Sequence, residues 1–317
     1  MSSKRTISKK LVSVILCLLL AVGILPLGAV PVQAATVSGI FAAAYVGADS
    51  AAQTTLPAQV DVNGQVKDVT WFVYEGLFNK PYAAVQAIGV TADNDTVYAT
   101  VEVVPESVGF FADVAATQAV NSTMDYDSPS YAAIAALAAQ NGDALLNDKA
   151  DQVYDGTNGW GHSALRSNGT TVDLQYKSKE SGAHNKTTTT GLFTQNAVGA
   201  KNTYTMQLPA GDYSLTMGLY DWWSNSSRRS DIFITVPGGE RIKLGAISYN
   251  AEPTYKFAVP EAGTVLVEIV ATNASQSPML NWVAVAEGDV ESGGGTAAHL
   301  IVVNGDDVKA DNVNGLT

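Results

Sequence analysis

Residues 220–229 hold a dense group of interaction-capable side chains: Tyr220, Asp221, Trp222, Trp223, Asn225, Arg228 and Arg229. Indole and phenol rings offer flat apolar faces, while Asp, Asn and Arg supply acceptors and a forked donor. That mixture suits a pyranose ring. Its C–H face can stack on an aromatic plane while its hydroxyls pair with carboxylate, amide and guanidinium groups. Two adjacent tryptophans in an extended chain point to opposite sides, so one is expected beneath the site and the other toward a ligand. Two readings stay open: the loop grips a ligand, or both rings plug the end of a sandwich and Arg228 makes a structural ion pair.

A second group lies around Trp160. Gly156, Gly159 and Gly161 let the large ring lie against backbone, and Asp155 and Asn158 offer oxygens. Here too a core plug is the alternative. Asp151 and Asp155 could join backbone carbonyls around a structural calcium ion, a hard cation that takes about six to eight oxygen ligands. Trp71 and Trp282 sit in strand-like runs and read as core.

Catalytic signatures are missing. The chain has 30 acidic residues, yet no spacing singles out a pair that could straddle a glycosidic bond, and Asp125, Asp127, Asp306 and Asp307 read as turn residues. None of His162, His184 and His299 follows a nucleophile elbow. No zinc-protease helix, phosphate loop or dinucleotide fingerprint occurs. His184 falls in the polar run 177–190, which reads as an exposed loop.

The elements that would hold these loops are strands. Val60, Val62, Val66 and Val69 surround Asn63-Gly64, the strongest short hairpin signal because both central residues of its turn need positive φ. Residues 82–104 predict two more strands meeting at 93–95. Further hairpins are predicted across turns at 209–212, 237–240 and 260–263, each opening with Pro and containing Gly, and a last strand over 280–285. One stretch differs. Asp127 or Ser128 can cap a helix that has Pro129 in its first turn, an Ala-rich body and a stop at Asn141-Gly142. Its Ile134/Leu137 stripe is expected to pack on the sandwich.

The N-terminus reads as a secretory leader, with a retained membrane anchor as the alternative, since about 20 apolar residues can span a bilayer. Lys4, Arg5, Lys9 and Lys10 precede an apolar run over 11–30, and Pro31 stands ahead of the small residues Ala34 and Ala35. The lone cysteine, Cys17, lies inside that leader, so the exported chain would have neither thiol nor disulfide. The net charge of −12 becomes −16 once the leader's four Lys/Arg are removed, which excludes an electrostatic footprint for nucleic acid or anionic membrane. The long apolar leader and the lack of cysteines suit a Gram-positive surface or extracellular protein.

Two resemblances follow from particular residues. The opening Leu56-Pro57, the hairpin Asn63-Gly64, the strand ending in Trp71 and the closing run 97–103 resemble a bacterial immunoglobulin-like module of the group-4 type. Residues 72–82 depart from that pattern by lacking its Asp-rich loop. Such modules are spacers or adhesive units. Residues 107–287 are similar to galactose-binding-like, carbohydrate-binding β-sandwiches of large secreted glycoside hydrolases. The residues carrying this likeness are Asp151, Tyr154, Gly159 to Gly161, the hairpin over 204–219, Tyr220 to Trp223 with Arg228 and Arg229, and Asn281-Trp282. Residues 311–317 are similar to the opening of a glycoside hydrolase barrel, of galactosylceramidase type.

The expected fold is all-β: an Ig-like sandwich over 35–105, then a larger jelly-roll β-sandwich with one short helix over 106–288. A signal peptide (1–34), a Gly-rich linker (289–298) and the start of a further domain (299–317) complete the order. The expected protein is the non-catalytic N-terminal part of a secreted, multimodular carbohydrate-active protein. It would be a monomer that binds polysaccharide or glycan and spaces a downstream glycoside hydrolase, with no nucleic-acid partner and no membrane contact after leader removal. The alternatives are a structural or adhesive surface protein without sugar binding, and an enzyme within 107–288.

Overall fold

Asn63 and Gly64 adopt φ of 55° and 84°, the double positive φ that their hairpin requires. They join β2 (Gln59–Val62) to β3 (Gln65–Phe72). The computed structural model describes residues 34–115, 128–172, 175–176, 185–223, 227–290 and 300–301, with 175–176 and 300–301 described by backbone alone. Residues 1–33, Asp125, Asp127, His184, Asn225, residues 291–299, Asp306 and Asp307 lie outside the described residues.

β3 pairs with β2 through residues 65–68 and with β4 (Ala84–Thr91) through residues 69–72. β4 turns at Asn94 into β5 (Thr96–Val104), and β1 (Thr36–Tyr45) lies parallel to β5 on its other side. The resulting order is β1-β5-β4-β3-β2. Ala42, Ala44, Val101 and Val103 pack with Ala87 and Phe78, while Phe41, Ala43, Tyr45 and Val104 join a second apolar cluster. Strand alternation explains the split, since successive side chains leave a strand on opposite faces.

The remaining strands form a sandwich. One sheet has the order β13 (Ile242–Ser248), β12 (Arg229–Thr235), β15 (Gly263–Ala271), β10 (Lys201–Leu208), β7 (Gly161–Leu165). The other has the order β18 (Leu300–Ile301), β14 (Thr254–Val259), β11 (Gly211–Gly218), β17 (Trp282–Glu287), β6 (Val108–Asp113). Tyr204, Met206, Ile232, Ile234, Val265, Val267 and Ile269 from the first sheet meet Phe110, Leu215, Met217, Phe257, Val283 and Val285 from the second. A small ladder of β8 (Gln175–Tyr176), β9 (Leu192–Phe193) and β16 (Met279–Leu280) completes the strands. The described residues are all-β with one short α-helix, as the turns and alternation imply.

That helix, α1 (Pro129–Gln140), is capped by Ser128, whose Oγ accepts the Tyr131 amide at 3.0 Å, with Pro129 in its first turn. Ile134 and Leu137 are buried as expected. They lie in a cluster that also contains Ala43 and Val104 from the first sheet and Phe111 and Trp282 from the sandwich, so the helix touches both. Trp282 is fully enclosed there, 5.3 Å from the Tyr82 ring and 6.2 Å from Phe111. Gly218 is its direct cross-strand partner, and a Cβ there would lie 2.0 Å from the indole nitrogen. Only glycine leaves the indole room.

The run 177–190 departs from its expected exposure where it is described. Lys186, Thr189 and Thr190 are buried. Polar side chains tolerate this because each finds a partner: Lys186 meets Glu102, the Thr189 hydroxyl donates to the Asn185 carbonyl, and the Thr190 hydroxyl donates to Asp113.

Gly218→Ala tests the packing around Trp282. Overfilling a close-packed site costs about 1–3 kcal/mol, so urea unfolding of this variant is expected to show a loss of at least that size, read from the shift in midpoint.

Candidate functional site

The antiparallel registers gather several loops at one end of the sandwich. Leu165 and Val270 both pair with Lys201, Ser230 pairs with Ala271, Arg229 with Ser248, and Gly218 with Trp282. The described residues 166–172, 194–200, 219–223, 227–228, 249–253 and 272–278 therefore emerge together. Loops held by a rigid sheet are the usual place for binding groups.

The described part of the connection after β11, residues 219–223 and 227–228, is organised from inside. Its amides at Tyr220 and Asp221 donate to Asn281 Oδ1 (2.7 Å) and Asn250 Oδ1 (3.1 Å). Asp221 Oδ1 accepts the Trp223 amide at 2.9 Å, and Oδ2 accepts Arg228 Nε at 2.8 Å. Arg228 Nη1 donates to the Ser277 carbonyl and to Ser277 Oγ, and the guanidinium lies 5.4 Å from the Tyr249 ring centroid. Asp221 and Arg228 are both buried. Charge pairing and hydrogen bonds satisfy them in place of water.

The indoles sit above this frame. Trp222 and Trp223 follow a turn rather than an extended path, and their rings pack 5.3 Å apart at 52°. Trp222 is half-buried over Gly191, where a Cβ would come within 3.0 Å of its ring. Trp223 is 46% exposed, and Phe193 meets it edge-on at 5.9 Å and 82°. Phe193 also lines an open cavity of about 300 Å³, together with Arg166, Val172, Thr194, Gln195 and Asn196. An exposed indole thus meets Phe193, which also lines a recess bordered by Arg166, Gln195 and Asn196.

The other anticipated residues have different surroundings. Tyr220 is half-buried; burial first, then the Glu252 carboxylate, raises its phenol above the usual value. Trp160 is buried in the sandwich core, edge-on to Phe110 at 5.7 Å and 84°. Asn158 braces its own turn, its amide group donating to the Val153 carbonyl at 2.7 Å. Asp155 Oδ1 accepts the Thr157 amide and hydroxyl and the Asn158 amide, which hold this carboxyl below the usual range. Asp151 is buried against His162 Nδ1 (2.7 Å), the Tyr204 hydroxyl (3.0 Å) and the Ala115 amide (2.6 Å). Among the described residues no three Asp, Glu or His side chains gather in a metal-holding group.

Tyr220 to Trp223 and Arg228 come together, whereas the turn containing Asp155, Asn158 and Trp160 does not join them. Gly161 pairs with Thr205 and Leu165 with Lys201, so that turn lies at the far end of β7. Arg166, Phe193, Gln195 and Asn196 were not anticipated. Their signal is faint: one aromatic in a two-residue strand and polar residues scattered over two loops.

No protein-family model and no curated relative matches the sequence. Among solved structures, the chain is similar to a family 35 carbohydrate-binding module from Cellvibrio japonicus, with 18% identity, 42% of this chain and 91% of that chain covered, and a TM-score of 0.30. A family 35 module in complex with a glucuronic-acid-containing disaccharide gives 19%, 42% and 94%, with a TM-score of 0.29. Bacteroides uniformis beta-glucuronidase 2 gives 13% identity, 71% of this chain and 27% of that chain, with a TM-score of 0.32.

Arg228→Met tests the frame beneath the indoles. It leaves Asp221 buried without its cation, and breaking such a pair costs about 3–5 kcal/mol. Thermal and urea unfolding are expected to show a loss of that order.

Proposed function

We propose that this chain is an exported carbohydrate-binding protein whose ligand stacks on Trp223 and reaches into the recess beside Phe193. The observation that carries the reading is Trp223 itself: a large indole left half open to solvent while its loop is tied down by a buried ion pair. Exposing such a ring forgoes burial of apolar area, and holding it in one orientation reduces the ordering cost of a ligand that stacks on it. Trp222 supports it from below, and Phe193 fixes its tilt. Arg166, Gln195 and Asn196 supply donors and acceptors for hydroxyls.

Asp221 and Arg228 act in this reading as supports, since both are buried and joined to each other. The leader over 1–34 and the net charge of −12 support export to a setting where glycans, rather than nucleic acids or anionic membranes, are the partners.

The test is a panel of plant, host and microbial oligosaccharides, with retained ligands titrated calorimetrically against the exported chain. A shallow site with few buried hydrogen bonds predicts a Kd between about 1 μM and 1 mM. Loss of the stacking plane in Trp223→Ala is expected to weaken binding by roughly tenfold or more, about 1.4 kcal/mol. Failure of every glycan to bind, or a Trp223→Ala variant that binds as the parent does, removes the reading.

A further inference from the structure

A wall of chain runs behind the two indoles. Gly191 lies under Trp222 and Phe193 braces Trp223. The carbonyls of Thr187 and Thr190 each accept Asn281 Nδ2 at 3.1 Å, and the same Asn281 side chain receives the Tyr220 amide. The wall is fastened near its start. Lys186 is 2% exposed, and its Nζ lies 2.5 Å from Glu102 Oε2 and 5.6 Å from the Trp282 ring centroid.

Glu102 belongs to β5, in the first sheet, and is also 2% exposed. Its Oε1 accepts the Ser130 hydroxyl from the first turn of α1 at 2.7 Å. A second fastening lies beside the first: Asp113 accepts the hydroxyls of Thr190 (2.7 Å) and Ser128 (2.6 Å).

We propose that Lys186 and Glu102 are positioning residues for the candidate binding loop. Their ion pair ties the wall 185–193 to the first sheet and so holds Gly191 and Phe193 in place against Trp222 and Trp223. A buried pair contributes little net stability over an apolar replacement, because desolvation offsets the attraction; what it supplies is one defined geometry. The first sheet, which the sequence presents as a spacer, then takes part in shaping the site. The consequence for ligand affinity rests on the glycan-binding reading above, but the tether itself does not.

Two variants of the exported chain separate tether from stability. Lys186→Met leaves the Glu102 carboxylate buried without its cation, and its Tm is expected to fall. The double variant Glu102→Gln/Lys186→Met removes both charges, keeps an acceptor for Ser130, and is expected to recover most of that Tm. Hydrogen exchange at the amides of 187–193 is expected to rise by roughly tenfold or more in both variants. Tryptophan emission is expected to shift, and any glycan bound by the parent to bind several-fold more weakly, in the double variant as in the single. Parent-like exchange over 187–193 in the double variant overturns the inference. If the parent binds no glycan, only the ligand reading fails, and the exchange result still decides the tether.

Discussion

Burial of Trp282 is the constraint on which the rest of the structure depends. An indole buries about 150–250 Å² when enclosed, and this one is enclosed on every side: Tyr82 from the connection between β3 and β4, Phe111 from β6, Gly218 across the strand pair and Lys186 over its face. Residues more than 200 positions apart therefore share one apolar cluster, with α1 filling the space beside it. Its neighbour in sequence, Asn281, is also fully buried and holds both the Tyr220 amide and the carbonyls of the 185–193 wall. The start of β17 thus joins the packing seam to the candidate site.

The loop that follows β11 is consequently built on a fixed base. Among its described residues, Asp221 is taken up by Arg228 and the Trp223 amide, so the ring orientation is set before any ligand arrives. Preorganisation of this kind lowers the ordering cost of binding, which matters where a shallow site offers few hydrogen bonds.

Much of the architecture was legible because it is local. The Asn63-Gly64 turn, the Pro- and Gly-containing turns between the later strands, and the Ser128-capped helix depend on φ preferences within a few residues. The site was only partly legible. Density of Trp, Asp and Arg located the 219–228 loop, but side-chain type does not tell outward from inward. Asp221 and Arg228 turned toward each other, and Trp160 went into the core. Lys186 and Glu102 are 84 residues apart, and a lysine in a Thr-rich run reads as solvated until its distant partner is in place. Phe193 was hidden for the same reason, since its role comes from contact with Trp223 and not from its neighbours in sequence.

The most direct measurement of the central claim uses the indole N–H signals of the five tryptophans. In a two-dimensional 1H–15N spectrum titrated with an oligosaccharide, Trp223 is expected to shift most and Trp222 less, while Trp160 and Trp282 stay still. Movement led by Trp160 or Trp282 with Trp223 unchanged would contradict the account.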